Sequence, residues 1–219
     1  VVIRAVAGCA AYVGHYGGVL SHLEGLVSPP QDPVAVDVAR WRGGPVAMVI
    51  AKGRAMAEDA AEMVMGDLAG LPAVCDAVEA LAPDAPLIHP SLGSNLAWAR
   101  VVDVGDADSA LAADDVTVVE RTFRFGRHTG VTLESRSVVG DWDPGSSRLT
   151  MRYSGQAPHM MQAILAKHLR LEEADVRVVA EDVGGSFGIK IHIYGDEIAA
   201  CVASKLLDRP VKFIADRAE

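Results

Sequence analysis

The spacing of apolar and polar residues changes several times along the chain, and each change predicts an element. Pro45-Val46-Ala47-Met48-Val49-Ile50-Ala51 is a short unbroken apolar run. It suits a buried strand, with Gly43-Gly44 as the turn before it. Over residues 54–65 the spacing becomes helical. Ala57, Ala60, Ala61 and Val64 share one face, Glu58, Asp59 and Glu62 lie largely off it, and Gly66 marks the stop. Residues 71–75 predict another strand, and Asp76 predicts the cap of a short helix through Leu81. Pro83, Pro86 and Pro90 then interrupt regular structure, which places a domain boundary near residues 90–100. Before all of this, Ser28-Pro29-Pro30-Gln31-Asp32-Pro33 reads as a loop.

The second half is more regular. Residues 116–125 alternate through Thr117, Val119, Arg121, Phe123 and Phe125, a β-rich pattern, and residues 131–142 also predict a strand. Asp143-Pro144-Gly145-Ser146 is a turn signal. Leu149, Met151 and Tyr153 alternate with polar neighbours and predict a third strand over 148–154. Pro158 opens a helix to about Leu169, with Met161, Ile164, Leu165 and His168 on or near one face. A β-branched run at 176–180 precedes a glycine-rich loop. A helix from about Asp196 to Leu207 and a strand at 211–214 complete the pattern. Strand, helix, strand, loop, helix, strand is the order of βαβ units, shared with other α+β topologies. The predicted class is α+β, with mixed α/β character.

Composition narrows the function classes. The 219 residues hold 20 Lys plus Arg against 29 Asp plus Glu, a formal charge of −9. That argues against a phosphate-backbone binder, so no nucleic-acid partner is expected. Hydrophobic residues make up 50% and aromatics only 5%, so the expected core is mostly Ala, Val, Leu and Ile. Cys9, Cys75 and Cys201 are too far apart for a CxxC site and odd in number, and read as three buried small hydrophobes. The uncharged stretch between Arg4 and Glu24 carries Gly8, Gly14, His15, Gly17, Gly18 and His22. That is too polar and glycine-rich for a membrane span, and it lacks the layout of a secretory signal. The chain starts at Val1 and stops at Asp216-Arg217-Ala218-Glu219 directly after an apolar run, so a piece of a longer protein is expected.

The most unusual local feature is Asp182-Val183-Gly184-Gly185-Ser186-Phe187-Gly188-Ile189-Lys190. Its glycines let backbone amides approach a ligand oxygen, and it lies between a strand and a helix, where α/β sheets place ligands. GxGxxG and GxxxxGK[ST] are both absent, which disfavours a nucleotide-binding domain. A tight turn that merely packs is the plain alternative. Gln156, after a strand end, offers an N–H to a ligand oxygen. HExxH and HxH do not occur, so a protein-ligated metal site is not expected. Asp114-Asp115 and Glu172-Glu173 read as solvated faces, His159 as a helix-entry residue, and Asp196-Glu197 as anions at a helix start.

Residues 149–219 resemble the first molybdenum-cofactor-binding domain of the xanthine dehydrogenase, aldehyde oxidase and carbon monoxide dehydrogenase family. The resemblance rests on Ser154-Gly155-Gln156-Ala157-Pro158-His159, on residues 176–190 and on Arg209-Pro210-Val211-Lys212-Phe213 through Glu219. Glu134-Ser135-Arg136 is similar to the family's Glu-Pro-Arg. Asp32-Pro33-Val34-Ala35, residues 42–47 and residues 57–62 resemble the preceding α/β hammerhead domain. The resemblance implies a partial hammerhead domain over 1–95 and a truncated cofactor-binding domain over 96–219. It implies a molybdenum–pterin cofactor, as molybdopterin or its cytosine dinucleotide form, lined by Gln156, Gly184, Gly185, Ser186, Phe187 and Gly188. In the family Gln156 would bond a metal oxo ligand, the amides around Gly185, Phe187 and Gly188 would line the cofactor, and Phe187 would lie near the metal. No protein side chain would ligate the metal.

The implied activity is oxidative hydroxylation of an aldehyde, N-heterocycle or similar small substrate. Iron–sulfur and FAD subunits would complete a cytoplasmic hetero-oligomer, with the periplasm as the alternative compartment. Ser186 replaces a common family glycine, and Ile191 replaces the Glu of purine-hydroxylating members, which disfavours xanthine. The catalytic Glu of the family lies downstream of the residues matched here, so residues 1–219 alone are expected to be inactive. The alternative reading is a non-catalytic cofactor-binding or assembly module.

Overall fold

The computed structural model describes residues 2–4, 23–29, 31–126 and 128–217. Cys9 and most of the uncharged stretch before Glu24 lie outside the described residues, as do Pro30 of the predicted loop and Ala218 and Glu219 of the family match. Two short strands, β1 (Val2–Arg4) and β2 (Ala47–Val49), pair antiparallel with Val2 opposite Val49. Helix α1 (Arg54–Glu62) follows β2. Asp76 Oδ1 accepts from the Val78 and Glu79 amides, ahead of a 3-10 turn at Glu79–Leu81. The cap was legible there, although the turn is tighter than an α-helix. A second 3-10 turn is Pro90–Leu92, and a five-residue helix α2 spans Ala107–Leu111.

The main body is a four-stranded mixed sheet ordered β5-β4-β3-β6, built from β3 (Ser137–Asp143), β4 (Arg148–Tyr153), β5 (Val176–Val179) and β6 (Val211–Ile214). β3 runs antiparallel to both β4 and β6, while β4 and β5 are parallel. The β4–β5 crossover is helix α3 (Pro158–Leu169), one true βαβ unit. The second helix, α4 (Gly195–Leu207), leads instead to the antiparallel β6, so the sheet is mixed.

Local chemistry explains these elements. Asp143 folds the β3–β4 hairpin, accepting from the Gly145 amide at 2.9 Å and from Ser146 Oγ at 2.6 Å. Leu149, Met151 and Tyr153 point into the core as their alternation requires. Pro158 starts α3 at a position whose amide would be unpaired anyway. Residues 197–204 of α4 are buried without a break, so this helix is the centre of the core. Met161, Leu165, Ile198, Val202, Val138 and Val176 are the main filling, joined by Val34 from the first half. Methionine thus adds to the aliphatic core expected from composition.

Several expected elements are absent. Residues 71–75 and 116–125 adopt no regular structure, and the predicted strand over 131–142 begins only at Ser137. Helix α1 ends at Glu62, short of Met65. A strand exists only where a neighbour accepts its backbone bonds, and no described segment pairs with 116–125. Its side chains stand in solvent, Phe125 at 89% exposure. Cys201 is buried but Cys75 is exposed, which corrects the reading of all the cysteines as core residues. Among the described residues no helix is long and apolar enough to cross a membrane.

Candidate functional site

Sheet direction gathers the predicted residues. β4 and β5 are parallel, so both C-terminal ends reach the same edge, and the antiparallel β3 begins there. Ser154 and Gln156 follow β4, the glycine loop follows β5, and Glu134 and Arg136 precede β3.

Glu134 joins the three segments. Its Oε2 accepts from Lys190 Nζ at 2.7 Å, Ser154 Oγ at 2.6 Å and the Gly184 amide at 2.8 Å. Lys190 Nζ also donates to Ser154 Oγ at 2.6 Å. Lys190 is only 2% exposed, so its ammonium depends on these partners. The same bonds, chiefly those from Lys190 and then Ser154, hold the Glu134 carboxyl down at about 2. Gly184 permits the contact, since a Cβ there would lie 2.5 Å from the Glu134 Cβ.

Within the loop, the Gly185 amide donates to Val183 O at 2.9 Å, the Ile189 amide to Ser186 O at 3.0 Å and the Lys190 amide to Ser186 Oγ at 3.1 Å. The amides of Ser186, Phe187 and Gly188 donate to no acceptor among the described residues. Gly185 and Gly188 have φ of +97° and +90°, and Phe187 between them has +50°. A left-handed phenylalanine costs about 1–3 kcal/mol. This residue is nonetheless held in that conformation while 80% exposed.

Gln156 is exposed and clamped at two points. Its amide donates to Lys190 O at 3.2 Å, and its Oε1 accepts from Ser186 Oγ. Its Nε2 has no acceptor among the described residues. One carboxamide N–H2 and three successive backbone amides, all on exposed or half-buried residues, are therefore left without an acceptor among the described residues. Such a set suits an oxygen-rich or heterocyclic group held without side-chain ligation.

Arg136 braces the site from behind. Its guanidinium donates to both Asp196 carboxylate oxygens, at 2.8 and 2.6 Å, and lies 3.8 Å from the Tyr194 ring centroid. Tyr194 in turn donates from its hydroxyl to Ile189 O at 2.5 Å. Glu197 Oε2 accepts from the Tyr194 amide at 3.1 Å, and burial pushes its carboxyl up to about 8. Arg217 donates to the Thr132 and Leu133 carbonyls and fixes the approach to Glu134.

The six predicted site residues therefore lie together, with two differences. The Gly184 amide is spent on Glu134 and the Gly185 amide inside the loop, and the free amides are those of Ser186, Phe187 and Gly188. Sequence reasoning gave no role to Lys190, Ser154, Glu134 or Arg136. Glu134 and Arg136 stood in the Glu-Ser-Arg triplet, and Lys190 ended the loop motif, so the signal was present without a partner to interpret it. Among the described residues no group of three or more His, Cys, Asp or Glu side chains could hold a metal ion. The residues fit a cofactor held by amides and a carboxamide.

Residues 88–219 match the family described as molybdopterin cofactor-binding domain. The carbon monoxide dehydrogenase large chain of Hydrogenophaga pseudoflava is 35% identical over 187 residues, covering 80% of this chain and 23% of that relative. The nicotine 6-hydroxylase large subunit of Paenarthrobacter nicotinovorans is 32% identical over 196 residues, 90% of this chain and 24% of the relative. Quinoline 2-oxidoreductase from Pseudomonas putida 86 superposes with a TM-score of 0.87 at 28% identity, over 99% of this chain and 27% of that one. The chain thus spans about a quarter of the length of the relatives it matches.

Proposed function

The chain belongs to the molybdopterin cofactor-binding domain family, and on that premise we propose that it forms part of the large subunit of a molybdenum hydroxylase. Residues 1–95 would be the hammerhead portion and residues 96–219 the first part of the cofactor domain. Gln156 Nε2 and the amides of Ser186, Phe187 and Gly188 would hold the molybdenum–pterin group, as molybdopterin or its cytosine dinucleotide form. The single observation that carries this reading is that set of four donors, without an acceptor among the described residues, following the ends of β4 and β5. When bound, the group would supply oxidative hydroxylation of an aldehyde, N-heterocycle or similar small substrate, with oxygen from water.

The chain's own residues bind and orient. Gly185 and Gly188 give the loop its left-handed turns, Phe187 presents an apolar ring beside the free amides, and Lys190 with Glu134 fixes the loop to the sheet. Ile191 places an aliphatic residue after the loop where a carboxylate would serve a purine. Xanthine is therefore not the proposed substrate. The catalytic Glu is expected outside these residues, and electrons would pass to iron–sulfur and FAD subunits of a cytoplasmic complex.

Exposed apolar side chains support burial against a larger assembly. Val101, Val102, Val119, Phe123, Phe125 and Leu133 all stand in solvent on segments without regular structure. Elemental and pterin analysis of the purified holoenzyme containing this chain tests the proposal. Molybdenum and pterin in step with the large subunit are expected. Their absence would favour the non-catalytic assembly module instead.

A further inference from the structure

We propose that the Ser186 hydroxyl is the group that orients the Gln156 carboxamide, turning its Nε2 donor outward toward the bound cofactor. The inference rests on the proposed function and deepens it by assigning a positioning residue.

The hydrogen-bond inventory of one hydroxyl carries the argument. A serine hydroxyl has a single proton and accepts through oxygen. Ser186 Oγ accepts from the Lys190 amide at 3.1 Å. Its own proton goes to Gln156 Oε1, and no other acceptor for it exists among the described residues. A carboxamide turned the other way would face Ser186 with its N–H2 group. The serine proton would then have no acceptor among the described residues, and a carbonyl oxygen would be the group offered to the cofactor. The orientation with Oε1 on Ser186 satisfies both groups and leaves Nε2 as the free donor among the described residues.

The Gln156 main chain is fixed at the same time, because its amide donates to Lys190 O at 3.2 Å. Lys190 is held in the core by Glu134 and Ser154. Backbone position therefore comes from Lys190 and side-chain orientation from Ser186. A carboxamide held in one orientation donates more effectively to a cofactor oxygen than one that rotates, because less freedom is lost on binding.

The test is a double-mutant cycle in the holoenzyme, with Ser186→Ala, Gln156→Ala, the pair, and Ser186→Thr as the hydroxyl-retaining control. Molybdenum content, the Mo(V) electron paramagnetic resonance signal and kcat/KM are read for each. Ser186→Ala is expected to keep its molybdenum, to shift the Mo(V) signal, and to lose about fivefold in kcat/KM, the worth of one ordinary hydrogen bond. On the Gln156→Ala background the same change is expected to do nothing further, since there is no carboxamide left to orient. Ser186→Thr is expected to lose less than Ser186→Ala.

A Ser186→Ala enzyme with an unaltered signal and rate would overturn the inference. So would an equal Ser186→Ala loss with and without Gln156, which would mark a general loop effect. Either result leaves the proposed function standing if wild-type enzyme contains molybdenum. A wild-type enzyme without molybdenum would overturn both.

Discussion

Lys190 Nζ lies 2.7 Å from Glu134 Oε2 although 56 residues separate them in sequence. The ammonium end is shut in the core and the carboxylate end reaches solvent, with side-chain exposures of 1% and 37%. This asymmetry decides which partner can be removed at lower cost. Glu134→Gln strands a buried cation, whereas Lys190→Met leaves a carboxylate that still accepts from Ser154 and Gly184.

Glu134→Gln is therefore expected to destabilise by about 2–4 kcal/mol, below the full cost of a deeply buried pair because solvent reaches one end. Lys190→Met is expected to cost less. Urea unfolding of both variants checks the order, and a more damaging Lys190→Met would contradict it.

Two carboxyls should give stability opposite slopes with pH. Glu134, held at about 2 against an ordinary 4.5, contributes stability that is present above 4.5 and lost as pH falls through about 2. Glu197, raised from 4.5 to about 8, contributes stability that is full below 4.5 and lost as pH rises through about 8. Melting temperature against pH is expected to be highest near 4.5–5 as far as these two groups decide it. In Glu197→Gln the decline between pH 5 and 8 should flatten. A Glu197→Gln profile parallel to wild type would contradict this assignment.

Arg136→Lys should behave as a disruptive change. Lysine cannot bond both Asp196 oxygens with a planar fork or lie as flat against the Tyr194 ring. A loss of about 1–3 kcal/mol is expected from the charge-assisted bonds and the ring contact together. Thermal unfolding reads it directly, and wild-type stability would remove Arg136 as the brace of the α4 start.

Gly185→Val is expected to empty the site. The φ of +97° strains any β-branched residue, and a Cβ would meet the Phe187 ring at 3.2 Å. Molybdenum content should fall while the sheet, formed from other residues, still folds. A fully loaded Gly185→Val enzyme would detach the loop from cofactor binding.

What the sequence could convey depended on the range of the interaction. Helix α3 was legible because its start is a local proline effect and its buried face, Met161, Leu165 and His168, repeats within one helix. β4 was legible because Leu149, Met151 and Tyr153 alternate against a covered face. The strand expected at 116–125 failed although its alternation is as clear. Alternation reports a side-chain pattern, and backbone pairing needs a second segment that the described residues do not provide. Topology escaped for the same reason: the connection through α4 reads like a βαβ unit until β6 is seen beside β3. In the site, Gln156 and the loop followed from motif resemblance. The buried Lys190–Glu134–Ser154 cluster did not, because three residues spread over 56 positions carry no periodic signal.

A crystal structure of the holoenzyme, at a resolution that defines its prosthetic group, tests the assignment most directly. The molybdenum–pterin group is expected against the amides of Ser186, Phe187 and Gly188, with Gln156 Nε2 within hydrogen-bond reach of one of its oxygens. A prosthetic group bound away from the ends of β4 and β5, with those four donors facing solvent or packed protein, would contradict it.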